Sequence, residues 1–124
     1  FGGIVAKSKL ETNERMEISD CNVDLSNSKI EVISPRLGYC AGVIADAMYT
    51  TIRDTNVTLK NSTMGTTSAG DGYSTLTYYY SLITGGLVGF ARQGSNNENG
   101  PYGLEGVVVE GCSFNSTNDT QKEQ

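Results

Sequence analysis

Pairs of aliphatic residues set among small ones punctuate this chain at three places: Gly2-Gly3-Ile4-Val5-Ala6, Ala41-Gly42-Val43-Ile44-Ala45 and Gly85-Gly86-Leu87-Val88-Gly89. The second residues, Gly3, Gly42 and Gly86, lie 39 and then 44 positions apart, a period that belongs to solenoids and repeat arrays. Unequal spacing predicts a fixed framework carrying loops of variable length. A second pattern follows each run: Ile18-Ser19-Asp20-Cys21-Asn22-Val23, Ile52-Arg53-Asp54-Thr55-Asn56-Val57 and Val109-Glu110-Gly111-Cys112-Ser113-Phe114. These align without gaps, and the first two continue through Leu25 and Leu59 to Asn27 and Asn61. After the first apolar position the step is three residues and then two. Period two is that of a strand, and the longer step marks a corner. Ile18 and Cys21 therefore both face inward around a bend at Ser19-Asp20.

A third strand-like element precedes the second and third glycine runs, Lys29 to Ser34 (KIEVIS) and Ser74 to Ile83 (STLTYYYSLI), rich in residues that suit strands. Helical spacing is poor throughout. The order of elements predicts an all-β chain folded as a right-handed parallel β-helix of about three coils, one domain over 1–124. Its repeats run over about 2–34, 41–83 and 85–118, with a polar tail at 119–124. Equivalent strands would stack about 4.8 Å apart. Cys21, Thr55 and Cys112 then form one inward column, Val23, Val57 and Phe114 another, and Gly3/Ile4, Gly42/Val43 and Gly86/Leu87 line up with Ile18, Ile52 and Val109 as the rest of the framework.

Composition narrows the function classes. With 37% hydrophobic and 19% charged residues, the 124-residue chain suits one folded domain. A net charge of −5 without a basic run speaks against nucleic acid or an anionic membrane surface, and no apolar run is long enough to insert in a membrane. There is no His, so Ser-His-Asp and Cys-His catalysis within the chain are excluded. Three cysteines without C-x-x-C spacing, Cys21, Cys40 and Cys112, make a zinc site improbable and read as buried thiols, with a disulfide between two of them left open. No cofactor is expected. TGGLVGFARQ lacks the Lys and the following helix of a phosphate loop, so its glycines read as corners or points of close backbone approach. The chain begins at Phe1 with no Met and the pattern already runs at Gly2, which points to a piece of something larger.

The pairing of GGLVG at 85–89 with VEGCSF at 109–114, and of GGIVA at 2–6 with ISDCNV at 18–23, resembles the GLUG repeat, named for its Gly-Leu-aliphatic-Gly core. The resemblance covers most of the chain as about three copies. Only the third has the full core; the first ends in Ala6, and the second has Ala41 for the leading glycine. What the resemblance implies is a β-helix segment of a secreted or cell-surface bacterial protein, adhesin-like and not enzymatic. It transfers no catalytic residue.

Candidate sites follow from the same register. Asp20 and Asp54 would stack as neighbouring carboxylates, the equipment of glycoside hydrolysis. The third copy has Gly111 there, so both read as corner residues that hydrogen-bond turn backbone. Oxygen-rich Asp71-Gly72 and Asn97-Glu98-Asn99-Gly100 do not repeat at calcium-loop positions. Asn-x-Ser/Thr at Asn56, Asn61, Asn115 and Asn118 reads as turn and ladder sequence. Insertions around 62–73 and 92–105 and the Tyr78-Tyr79-Tyr80 run offer a ligand surface of Tyr79, Arg92, Asn96, Asn97 and Tyr102. Partners are then a carbohydrate or host surface protein at the loops. At the open ends, about 14 Å apart, the partner is the rest of a larger protein or a second copy. The alternatives are a fragment of a carbohydrate-active β-helix enzyme and an antiparallel sandwich of carbohydrate-binding or pilin type.

Overall fold

Period-two alternation makes strands of NVDLS and NVTLK: Val23, Val57 and Leu59 are buried while Asn22, Asp24, Asn56 and Lys60 remain exposed. The computed structural model describes residues 1–8, 14–34, 37–68, 81–92 and 106–118, and in it such segments wind into a parallel β-helix of about three coils. The first coil holds β1 (Val5–Lys7), β2 (Met16–Ser19), β3 (Asn22–Ser26) and β4 (Lys29–Ser34). The second holds β5 (Leu37–Ala41), β6 (Ile44–Ala47), β7 (Thr50–Arg53), β8 (Asn56–Lys60) and β9 (Thr63–Ser68). The third holds β10 (Ser81–Gly85), β11 (Val88–Ala91), β12 (Val107–Glu110) and β13 (Ser113–Thr117).

These stack as β1-β6-β11, β2-β7-β12 and β3-β8-β13, with the pairs β5-β10 and β4-β9. Every described pairing is parallel, which rules out the antiparallel sandwich. The framework columns fall in the expected register: Ile18, Ile52 and Val109 pair in one row and Val23, Val57 and Phe114 in another. Gly42 donates its N–H to the Gly86 carbonyl at 3.0 Å, and Gly3 donates to that of Ala41 at 3.2 Å, so the glycine runs of successive coils are in direct backbone contact.

The third strand differs from the sequence expectation in two ways. KIEVIS in β4 pairs with Thr63–Ser68, not with the 74–83 segment, of which only Ser81–Ile83 falls in a described strand. The insertion expected at 62–73 therefore takes in the whole of β9, Thr63–Ser68. The physical reason is that Met64, half-buried beside Ile30, supplies the inward side chain of a segment whose Thr and Gly residues read as loop. Each bent element is also two strands meeting at a corner, so a coil has more sides than the expected three.

The core is concentrated in the middle coil. Val43, Ile44, Ala47, Ile52, Val57 and Leu59 of that coil are joined in the buried cluster by Ile18 and Val23 of the first. Along one column exposure runs 6% at Ile18, 0% at Ile52 and 44% at Val109. The first and middle coils close this column to water, and the third leaves it open.

Candidate functional site

Asp20 and Asp54 are the carboxylates that the repeat sets in one column. Both hold left-handed backbone, φ 54° and 46°, as does Gly111 at 63° in the same column. An L-residue with a Cβ pays for that conformation, and Gly, Asn and Asp pay least. Asn27 at 52°, Asn61 at 50° and Tyr49 at 48° hold other corners the same way.

A shared device follows each of these residues. The next side chain donates to the carbonyl two positions back: Cys21 Sγ to Ser19 at 3.2 Å, Thr55 Oγ1 to Arg53 at 2.8 Å, and Cys112 Sγ to Glu110 at 3.3 Å. Ser28 Oγ to Ser26, Ser62 Oγ to Lys60 and Thr50 Oγ1 to Met48, each at 2.9 Å, complete the set. The two Asp residues are thus the left-handed members of corners closed by the hydroxyl or thiol behind them. The Cys-Thr-Cys column is a column of corner donors, with Thr55 fully buried between half-buried Cys21 and Cys112. All three cysteines are free, and Cys40 is fully buried; burial pushes its thiol above the ordinary value. Cys21 and Cys112 lie in the coils on either side of Thr55, about two strand spacings apart, too far for a disulfide.

The best-built polar cluster is one that sequence reasoning missed. Asp46 of β6, its side chain only 6% exposed, pairs in register with Lys7 of β1 and Phe90 of β11. Arg92, just past β11, donates Nε to Asp46 Oδ1 at 2.6 Å and Nη2 to Oδ2 at 2.9 Å, while Lys7 Nζ lies 3.8 Å from Oδ2. The hydrogen bonds that Arg92 donates to Asp46 raise its guanidinium pKa above the ordinary value. The guanidinium carbon also sits 4.9 Å from the Phe90 ring centre, and Phe90 stacks on Tyr39 of β5 with centroids 5.4 Å apart and planes 9° apart. One residue from each flanking coil is thereby tied to a nearly buried carboxylate of the middle coil. Both Asp46 oxygens are engaged by the chain's own cations, an arrangement that binds coil to coil and holds the start of the 92–105 insertion.

Outer-face ladders extend the same theme. Arg53 reaches Glu17 at 3.4 Å in the first coil and Glu110 at 3.3 Å in the third. Asn56 Nδ2 donates to Asn22 Oδ1 at 3.2 Å, and Ser113 Oγ donates to Asn56 Oδ1 at 2.6 Å. Buried Ser8 and Thr50 hydroxyls lie 3.0 Å apart, and Ser8 Oγ accepts the Met48 N–H at 2.9 Å. Among the described residues no buried side-chain nitrogen or oxygen lacks a partner.

Of the ligand surface read from the sequence, Arg92 is placed as above, while Tyr79, Asn96, Asn97 and Tyr102 lie outside the described residues, as do Asp71 and the 97–100 segment. The signal for the missed cluster was present: the offset of 39 that aligns Gly3 with Gly42 sets Lys7 beside Asp46, and the offset of 44 sets Asp46 beside Phe90. No family model, no curated protein and no solved structure matches this chain.

Proposed function

We propose that this chain is a structural and adhesive β-solenoid module of the GLUG-repeat type, part of a secreted or cell-surface bacterial protein, that presents its insertion loops to a glycan or host surface protein. The observation that carries the reading is how the charged groups are spent. Asp20 and Asp54 turn corners, Asp46 is held by Arg92 and Lys7, and Glu17, Arg53 and Glu110 bridge three coils. Charges consumed in stacking favour a scaffold over a reacting site, and the variable segments between fixed strands are the natural place for recognition.

A glycan and mucin array probed with the purified chain tests this, beside a Tyr79→Ala variant and a deletion of 93–105 that keeps Arg92 on Asp46. The expected result is binding by the parent chain that one of the two changes removes. Release of reducing sugar from any arrayed glycan, or a blank array for all three proteins, would contradict it.

A further inference from the structure

We propose that the third coil accepts the first coil of a second copy, head to tail and in coil register, so that the solenoid continues from one molecule into the next. The inference rests on the reading of the chain as a stacking module and commits it to one occupant and one geometry. Within the chain, stacking is a translation of one strand spacing, about 4.8 Å, applied from the first coil to the second and again to the third. Applied a third time, it sets the third coil against the first coil of another molecule.

The side chains at the two ends fit that step. Ile4 at one end and Val109 and Phe114 at the other are 41%, 44% and 40% exposed, although their columns are buried in the middle coil. The register that pairs Ile18 with Ile52 and Ile52 with Val109 places Val109 above Ile18 of the second copy, and likewise Phe114 above Val23; Ile18 and Val23 are already 6% and 9% exposed in the single chain, so the apolar surface gained in these two columns comes from the third-coil side. Ser113, hydrogen-bonded to Asn56 on one side, meets Asn22, the residue that Asn56 itself meets inside the chain. No described position opposes like charges: Glu110 meets Ser19 and Phe90 meets Lys7. The described strands of the third coil, SLITG, VGFA, VVVE and SFNST, carry one charge, Glu110, and no proline, so few of the groups that blunt open strands lie on them; the first-coil strands that would face them carry Lys7, Glu17 and Asp24. A translation repeated between copies is a heterologous contact that builds filaments, whereas a two-fold pairing of third coils would set equal strands antiparallel and lose the columns.

The same step brings Cys112 to Cys21 of the second copy, about 4.8 Å between Cα atoms and inside the range a disulfide spans. That makes the register readable. Cys21→Ser and Cys112→Ser proteins are mixed and oxidised with copper–phenanthroline, which takes the two electrons as two thiols lose their protons and form the S–S bond. The expected product is a dimer linked Cys21 to Cys112 by peptide mapping in the mixture alone, and a ladder of multimers from the parent chain. Phe114→Glu, at an exposed position, should abolish the ladder and give a monomer in sedimentation velocity with an unchanged circular dichroism spectrum. A Cys112–Cys112 dimer from the Cys21→Ser protein alone, or a parent chain that sediments as a monomer across a concentration series and forms no linkage, overturns the proposal. A blank glycan array beside a full ladder would remove the adhesive reading and leave the stacking; binding without a ladder would do the reverse.

Discussion

Replacing Gly42 by Ala probes how closely the coils approach. A methyl group there would collide with the Gly86 carbonyl oxygen and lie 2.7 and 2.8 Å from the Val57 methyls. Val57 is fully buried and cannot swing into solvent, and the same Gly86 oxygen accepts the Gly42 N–H at 3.0 Å, so backing away from the clash sacrifices that hydrogen bond. Overpacking a rigid interior costs about 1–3 kcal/mol and a backbone hydrogen bond adds about 1 kcal/mol. The expected loss is therefore about 2–4 kcal/mol, a large share of the roughly 5–15 kcal/mol available to a domain. For a chain of this length that lowers Tm by roughly 10 °C. Gly65→Ala is the control: nothing lies within 4 Å of its added carbon, and relief of glycine's chain entropy in β9 should stabilise by about 0.5–1 kcal/mol. Urea unfolding followed by circular dichroism separates the two. Adding Val57→Ala to Gly42→Ala should recover about 1 kcal/mol or more relative to the sum of the single changes. Equal effects at Gly42 and Gly65, or strict additivity with Val57→Ala, would refute the close-approach argument.

Among the described residues Arg92→Ala leaves the nearly buried Asp46 with Lys7 at 3.8 Å as its one cation, and the expected loss of about 2–3 kcal/mol, set at the low end because Arg92 is partly exposed, is checked by the same unfolding assay. Asp54→Ala should cost about 1–2 kcal/mol through its left-handed backbone, while Asp54→Gly keeps full stability; a large loss in the Gly variant would sink the corner assignment. Thr55→Cys places three thiols in one column, and mild oxidation should give an intramolecular disulfide to Cys21 or Cys112, mapped by mass spectrometry, that the parent chain does not form. Glu31 is held below the ordinary carboxylate value, first by the Thr67 hydroxyl at 2.6 Å and then by Lys29. A carboxylate lowered in the folded state binds fewer protons there than when unfolded, so its stabilisation is full above the unfolded value and is lost as pH falls through the folded one. Thr67→Val should move the Glu31 titration upward in carboxyl NMR, and an unmoved titration would contradict the assigned cause.

Much of the fold was legible because the chain writes its pattern three times. Ile18, Ile52 and Val109 could be set in one row from sequence because apolar identity and the step to the next inward residue recur together. The corner at Asp20, Asp54 and Gly111 was legible for a related reason, since Asp and Gly share tolerance for turn backbone. The Thr63–Ser68 strand was misread because TMGTTS lacks the branched apolar residues of KIEVIS, and its identity lies in register instead: the offset of 34 from Ile18 to Ile52 also carries Lys29 to Thr63. Corner donors were missed through attention to the cysteines as thiols, although Asp-Cys, Asn-Ser, Asp-Thr, Asn-Ser and Gly-Cys recur at five of the six described bends, Tyr49-Thr50 being the sixth. The Asp46 cluster joins one residue from each coil, and no single stretch of sequence contains it.

Amide hydrogen exchange resolved by coil tests the central claim most directly, because a three-coil stack protects its middle layer from both sides. The account predicts slowest exchange in β6, β7 and β8, around Ile44, Ile52 and Val57, with faster exchange in β2, β3, β12 and β13, and with protection of the end coils rising as protein concentration rises. Uniform protection across the coils, or slowest exchange in β12 and β13, would contradict it.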